Sequence, residues 1–128
     1  MKTEQKTDTL TKHLKPLDPE FPTIGLLMYN RVLQSEVFGM SDVFAKPTED
    51  GKQLFNVVSI AETENPITTE EGMHFVPDFT FENCPKLTAL FVPSAYDMHA
   101  QVHNEKIVDF IKQKNMETEY TVSNCAGA

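Results

Sequence analysis

The chain has no tryptophan and only two cysteines, Cys84 and Cys125. It has no Cys-x-x-Cys pair and no full set of zinc ligands, so neither a disulfide framework nor a structural metal site is predicted. No apolar run approaches the roughly 20 residues that span a bilayer. The N-terminal segment also lacks the apolar core of a signal peptide. These absences predict a soluble, cytoplasmic protein without a membrane partner.

Basic residues are few. The chain carries 11 lysines and arginines against 19 acidic residues, which gives a net charge of −8 and a pI near 4.9. Phosphate backbones are bound by basic surfaces, so this segment is not expected to bind nucleic acid. The partner is expected to be a small molecule or another protein.

The 128 residues are enough for one domain. Residues 1–22 are polar, and prolines at 16, 19 and 22 make the second half of this segment extended. We therefore predict an N-terminal tail over 1–22 and a single domain over 23–128.

Strand and helix patterns alternate within that domain. Residues 24–29 form a continuous apolar run, typical of a strand buried on both faces of a parallel sheet. Apolar residues then recur on one face of a helix that ends before Pro47, at Leu33, Val37, Met40 and Phe44. Further strands are predicted at 54–60, 87–92 and 120–123, a hairpin at 65–76, and a helix from the N-cap Asn104 to about Asn115. The order predicts an α/β fold with a mostly parallel sheet.

Ligands of such sheets bind beyond the carboxyl ends of the strands. Three segments are expected at that edge, namely residues 30–36, 93–99 and 124–128. Cys125 is the first candidate there, because a nucleophile at a turn after a strand is exposed and small neighbours permit the turn. A helix N-terminus after the turn would stabilise the thiolate. The alternative is a structural cysteine at a strand end.

Glu36 is the second candidate. It lies on the flank of the apolar stripe of the first helix, where a buried protonated carboxyl could donate a hydrogen bond to a thiolate. The alternative is an ordinary solvated helix residue. His99 and His103 have metal-ligand spacing with Asp97 nearby, but no third ligand is evident, and surface histidines are favoured. Cys84 is expected to be a packing residue.

Three separated motifs resemble the ThiJ/PfpI superfamily, whose fold is that of class I glutamine amidotransferase-like domains. They are IGLLMYNRVLQSEVFGMSDVF, VPDFTFENCPKLTALFVPSA and VSNCAGA. The resemblance is closest to the isocyanide hydratase-like branch and covers residues 23–128. It implies a three-layer α/β/α, flavodoxin-like architecture that is truncated after the strand of the nucleophile elbow.

By this resemblance Cys125 corresponds to the nucleophile, and Glu36 to the acid that contacts it. Ser94, Ala95 and Ala126 fall in the region that faces the substrate and its developing negative charge. Ser94-Ala95 replaces the usual Gly-Gly, Ala126 replaces a frequent threonine, and the acid of this branch is usually aspartate. The resemblance implies a small-molecule substrate such as an isocyanide, a homodimer, and no metal or organic cofactor.

Members of the family continue beyond the elbow with a helix that faces the cysteine. A chain that ends at Ala128 is therefore expected to be inactive by itself and to pair with a complementary C-terminal chain. Two other functions stay open: a non-enzymatic ligand-sensing domain of a transcription regulator, and a redox sensor in which Cys125 is oxidised reversibly.

Overall fold

The computed structural model describes residues 15–128, which form seven strands, three α-helices and one 3₁₀ turn. The strands are β1 (Thr23–Leu27), β2 (Asn56–Ala61), β3 (Ile67–Thr68), β4 (His74–Phe75), β5 (Phe79–Thr80), β6 (Ala89–Val92) and β7 (Tyr120–Ser123). The helices are α1 (Gln34–Ala45), α2 (His99–Val102) and α3 (Glu105–Glu117), and the 3₁₀ turn is Cys125–Gly127.

Five of the strands form one parallel sheet in the order β5-β2-β1-β6-β7. Strand β1 lies between β2 and β6, so the chain leaves β1 toward one side of the sheet and later returns to its other side. Such a reversal opens a crevice at the carboxyl edge, between the loops that follow the two strands. Here the crevice lies between the segments after β1 and β6.

Helices cover both faces of the sheet. Leu26 lies beside Val37 and Met40 of α1, whereas its neighbour Leu27 lies beside Ile107 of α3. Because consecutive strand residues point to opposite faces, α1 and α3 pack on opposite sides. This is the α/β/α layering implied by the resemblance, and the mostly parallel α/β fold is confirmed.

Most predicted elements are confirmed, with boundaries that move by one or two residues. The Asn104 side chain caps α3 by accepting hydrogen bonds from the backbone N–H groups of Lys106 and Ile107, at 3.0 and 3.3 Å. The hairpin forms from β3 and β4 around Glu71-Gly72. Strand β5 and the short helix α2 were not predicted.

Strand β7 lies where it was predicted, at 120–123, but it is not buried. Its residues are mostly exposed, and Tyr120 keeps 63% of its surface. In the described chain β7 is the outermost strand and pairs only with β6. Cys125 therefore follows a strand at the edge of the described sheet.

The described part of the predicted tail, residues 15–22, lies against the start of the sheet. The Asn56 side chain holds it by donating to the carbonyl oxygens of Asp18 and Phe21 and by accepting from the Asp18 N–H. Lys15 donates to the carbonyl of Val57. Residues 1–14 lie outside the described part. Among the helices that are described, none is long and apolar enough to cross a membrane.

Candidate active site

Glu36 and Ser94 meet at the crevice where the chain reverses direction. Glu36 lies in the first turn of α1, and Ser94 follows the end of β6 by two residues. One carboxylate oxygen of Glu36 accepts from the Ser94 backbone N–H at 2.6 Å, and the other accepts from the Ser94 hydroxyl at 2.9 Å. The Ser94 carbonyl in turn accepts from the Leu33 N–H at 3.0 Å. Three hydrogen bonds thus join the start of α1 to the loop after β6.

Ser94 is fully buried, so its hydroxyl needs this partner. Glycine at the same position could make the backbone bond to Glu36 but not the hydroxyl bond. Ser94 and Ala95 both have negative φ, since Arg31 and Cys125 are the non-glycine residues of the described chain with positive φ. The turn therefore needs no glycine at either position.

Tyr29 holds the same loop from the opposite side. Its hydroxyl donates to the Pro93 carbonyl at 2.5 Å. The peptide unit between Pro93 and Ser94 is thereby held by Tyr29 at its oxygen and by Glu36 at its nitrogen. Burial raises the pKa of Tyr29 well above its usual value, and the negative charge of Glu36 raises it further. The tyrosine is consequently a neutral hydrogen-bond donor at physiological pH.

Ala95, predicted to face developing negative charge, is buried, and its N–H already has an acceptor. The Ala95 nitrogen lies 3.2 Å from the Met98 sulfur, which accepts its hydrogen bond. The Ser94 N–H is likewise occupied by Glu36. Neither backbone donor is free to bind a substrate oxygen in this conformation.

Cys125 stands at the end of β7 in a left-handed backbone conformation, with φ of 54°, and its side chain is exposed. A non-glycine residue in this conformation costs about 1–3 kcal/mol and must be held by its surroundings. Two backbone hydrogen bonds stabilise the turn around Cys125. The Asn124 N–H donates to the Val92 carbonyl at 3.1 Å, and the Gly127 N–H donates to the Asn124 carbonyl at 2.9 Å.

Gly127 allows the turn to close against the sheet. A Cβ atom at this position would lie 2.1 Å from the Val92 carbonyl oxygen and 3.0 Å from that of Pro93. No side chain fits there unless the backbone moves. The sequence Cys-Ala-Gly therefore presents the thiol at the surface while Gly127 lies against the end of β6.

The predicted site residues are brought to one edge of the sheet, but not all into contact. Glu36, Pro93 and Asn124 line one small cavity between α1 and the sheet. Within the described chain no hydrogen bond joins Glu36 to Cys125. Ala126 lies on the other face, in a groove of about 130 Å³ that also contains Met98 and Ile111. The roles given to these residues stay predictions.

The other candidates show ordinary surface and packing geometry. The rings of His99 and His103 stack with their centroids 4.2 Å apart, and His103 Nδ1 lies 2.9 Å from the His99 carbonyl oxygen. Residues 15–128 contain no group of three or more potential metal ligands. Cys84 packs against the core, and burial raises the pKa of its thiol to about 11 despite the nearby Lys114.

Comparison with known proteins shows similarity in sequence and in fold. The chain is 29% identical over 105 residues to isonitrile hydratase of Pseudomonas putida, over 82% of this chain and 44% of that protein. It superposes on a ThiJ/PfpI family protein from Pseudomonas syringae with a TM-score of 0.74 and 24% identity, covering 92% of this chain and 51% of that one. The chain is thus similar in sequence to isonitrile hydratase and in fold to ThiJ/PfpI proteins.

A ThiJ/PfpI protein from Bacillus anthracis shares the fold at a TM-score of 0.63 and 17% identity, over 87% of this chain and 54% of that protein. The chain thus spans about half the length of the relatives that it matches. No family model matches it.

Sequence reasoning missed Tyr29 and Met98, which position the loop after β6. The apolar pattern predicts Tyr29 as part of the buried strand over residues 24–29. Such a pattern does not show which atom accepts a hydrogen bond from the phenol group. The one available signal was that a buried tyrosine usually has a hydrogen-bond partner. Nothing in the sequence identified Met98 as the acceptor for Ala95.

Proposed function

We propose that this segment supplies the nucleophile and the tuning acid of a cysteine-dependent ThiJ/PfpI enzyme that is most like an isocyanide hydratase. Cys125 is the nucleophile, and Glu36 is the acid. The proposal is supported by the similarity to isonitrile hydratase and by the position of both residues at the carboxyl edge of the sheet.

The observation that carries the proposal is the backbone of Cys125. A buried packing cysteine needs neither a left-handed conformation nor a glycine two residues later that fits only without a side chain. Strained residues of this kind cluster at active sites, where the strain aims a reactive side chain. The exposed thiol is consistent with that purpose.

The chemistry proposed for an isocyanide proceeds in two steps. The thiolate of Cys125 attacks the terminal carbon, a C–S bond forms, and that carbon takes up a proton to give a thioimidate. Water then adds to the same carbon, the C–S bond breaks, and the thiolate leaves with an N-substituted formamide as product. No electrons are gained or lost overall, so no redox cofactor is required.

Glu36 would act through its fixed position. Both of its oxygens are held by Ser94, so the carboxyl group cannot swing into solvent. A carboxylate fixed beside the nucleophile's turn can accept the thiol proton and pass it to the substrate carbon. The loop must shift for the Ser94 or Ala95 N–H to serve the substrate, because both are occupied.

The test is turnover of an aryl isocyanide to its formamide by the protein in its full natural length. Cys125→Ala should abolish turnover, Glu36→Gln should reduce it by about 10²-fold or more, and Cys84→Ala should leave it unchanged. Full turnover by the Cys125→Ala variant would refute the assignment. Sedimentation of the same sample tests the proposed homodimer and any pairing with a complementary chain.

A non-enzymatic ligand-sensing domain is the second candidate. The occupied N–H groups of Ser94 and Ala95 favour it, because they leave no free backbone donors to stabilise a transition state. A sensing domain would bind its ligand equally well after Cys125→Ala and would release it unchanged. Ligand binding lost together with turnover in that variant would instead favour the enzyme.

A further inference from the structure

A second pocket lies at the carboxyl ends of β1 and β2, and neither Glu36 nor Cys125 lines it. Its volume is about 520 Å³, and the loops after both strands line it together with α2 and the start of α3. Small-molecule sites in proteins range over about 300–1,000 Å³. It shares no lining residue with the cavity that contains Glu36.

The pocket lining carries two acidic side chains and one basic side chain, and the acids are incompletely paired. Its arginine, Arg31, is already bound to Glu70 by two contacts, of 3.0 and 3.3 Å. One oxygen of Glu62 accepts from the Asn104 amide at 3.0 Å, and one oxygen of Asp97 accepts from the His99 N–H at 2.9 Å. In the described chain neither acid has an ion pair, so each keeps one carboxylate oxygen for another donor.

Gln101 adds a buried acceptor to the pocket wall. It is 9% exposed, and among the buried side-chain nitrogen and oxygen atoms of the described chain its amide oxygen is the one without a hydrogen-bond partner. Its amide nitrogen faces the Asn30 carbonyl at 3.4 Å. A carbonyl only accepts, so the amide cannot be flipped without losing this contact. A small rotation of the side chain would break this long hydrogen bond and let the amide oxygen accept one from a ligand N–H.

Apolar side chains form the rest of the wall. Met28, Ile67 and Ile107 are buried residues that line the same pocket. A ligand that fits must therefore combine several N–H donors and a positive charge at one end with a short hydrocarbon stem. A guanidinium group meets the first requirement, since it is planar, permanently charged and donates to carboxylates in pairs.

We propose that this pocket binds a small alkylguanidinium-type cation, held by Glu62 and Asp97 and by the amide oxygen of Gln101. The proposal is independent of the function assigned to Cys125. It involves neither Cys125 nor Glu36 and needs no catalytic step.

The probe is n-butylguanidinium, and n-butylurea is its neutral isostere. In NMR titrations of the chain, butylguanidinium should bind saturably and shift the side-chain amide signals of Gln101, Asn65 and Asn104. Butylurea should bind at least about tenfold more weakly, because a charge-assisted hydrogen bond is roughly twice as strong as a neutral one. Replacement of both acids, Glu62→Gln with Asp97→Asn, should weaken binding of the cation by about tenfold or more.

The matched control is Glu64→Gln, which removes one negative charge from an exposed neighbour outside the pocket lining. It should leave the affinity unchanged, and so should Cys125→Ala. Equal binding of butylurea, equal weakening by Glu64→Gln, or shifts that never saturate would each overturn the proposal. Thermal melting of each variant shows that a lost signal does not come from unfolding.

Discussion

Tyr29→Phe removes one buried hydroxyl and leaves the ring in place. The Pro93 carbonyl then loses its 2.5 Å donor inside a buried environment. A net hydrogen bond contributes about 1 kcal/mol, and an unpaired buried acceptor costs about 1–3 kcal/mol, partly offset because the hydroxyl no longer has to be desolvated. We expect the free energy of unfolding to fall by about 1–2 kcal/mol, or the melting temperature by roughly 4–8 °C.

The matched control is Tyr96→Phe, because the Tyr96 side chain is 82% exposed and forms no hydrogen bond within residues 15–128. It should change the free energy of unfolding by less than about 0.5 kcal/mol. Urea denaturation gives both values, and hydrogen exchange at the Ser94 N–H should quicken only in Tyr29→Phe. Equal stability of the two variants would refute the positioning role assigned to Tyr29.

The pH dependence gives a second test of the same residue. The pKa of Tyr29 is raised in the folded chain, so above about pH 10 the unfolded chain loses its phenol proton while the folded chain keeps it. Stability contributed by Tyr29 is thus complete below pH 10 and declines as the pH rises, by up to about 1.4 kcal/mol per pH unit. Wild type should lose stability faster than Tyr29→Phe between pH 10 and 11.5, whereas parallel curves would contradict this reasoning.

Three further changes test the elbow, the capping of α3 and the two thiols. Gly127→Ala should disorder the turn, seen as changed amide shifts at Cys125, while the free energy of unfolding falls by no more than about 1–3 kcal/mol for the two bonds lost. Asn104→Ala should cost about 1 kcal/mol in urea denaturation, and Asn115→Ala on the same helix should cost none. At pH 8, iodoacetamide should label Cys125 at least tenfold faster than Cys84, because Cys84 is half-buried with a pKa of about 11; equal rates would contradict this.

Periodicity predicted the architecture well where one face of an element is buried. The apolar run of β1 and the spacing of Val37 and Met40 in α1 follow directly from burial, and the structure has both. Strand β5 was not predicted because two residues are too few to show a hydrophobic period. It forms because it pairs with β2. The exposure of β7 was also hidden, since a strand's position in a sheet depends on pairing rather than on its own residues.

The sequence predicted which residues lie at the candidate site but not the hydrogen bonds between them. Glu36, Ser94 and Cys125 were placed at one edge because parallel strands share a carboxyl end. Which atoms bond there depends on side-chain directions across β1 and β6, which no local pattern records. The two hydrogen bonds from Ser94 to Glu36 and the hydrogen bond from Tyr29 to Pro93 are therefore seen only in the structure.

The replacement of glycine by Ser94 changes the site in a definite way. With glycine the acid would have one backbone donor and one oxygen free to meet the cysteine, whereas here the hydroxyl occupies that second oxygen at 2.9 Å. Either the hydroxyl turns away when substrate binds, or Glu36 acts while bonded to Ser94. Ser94→Gly separates these possibilities: it frees one oxygen of Glu36 without removing the backbone bond. Faster alkylation of Cys125 in this variant would show that the serine restrains the acid, and an unchanged rate would show that the two residues act as one unit.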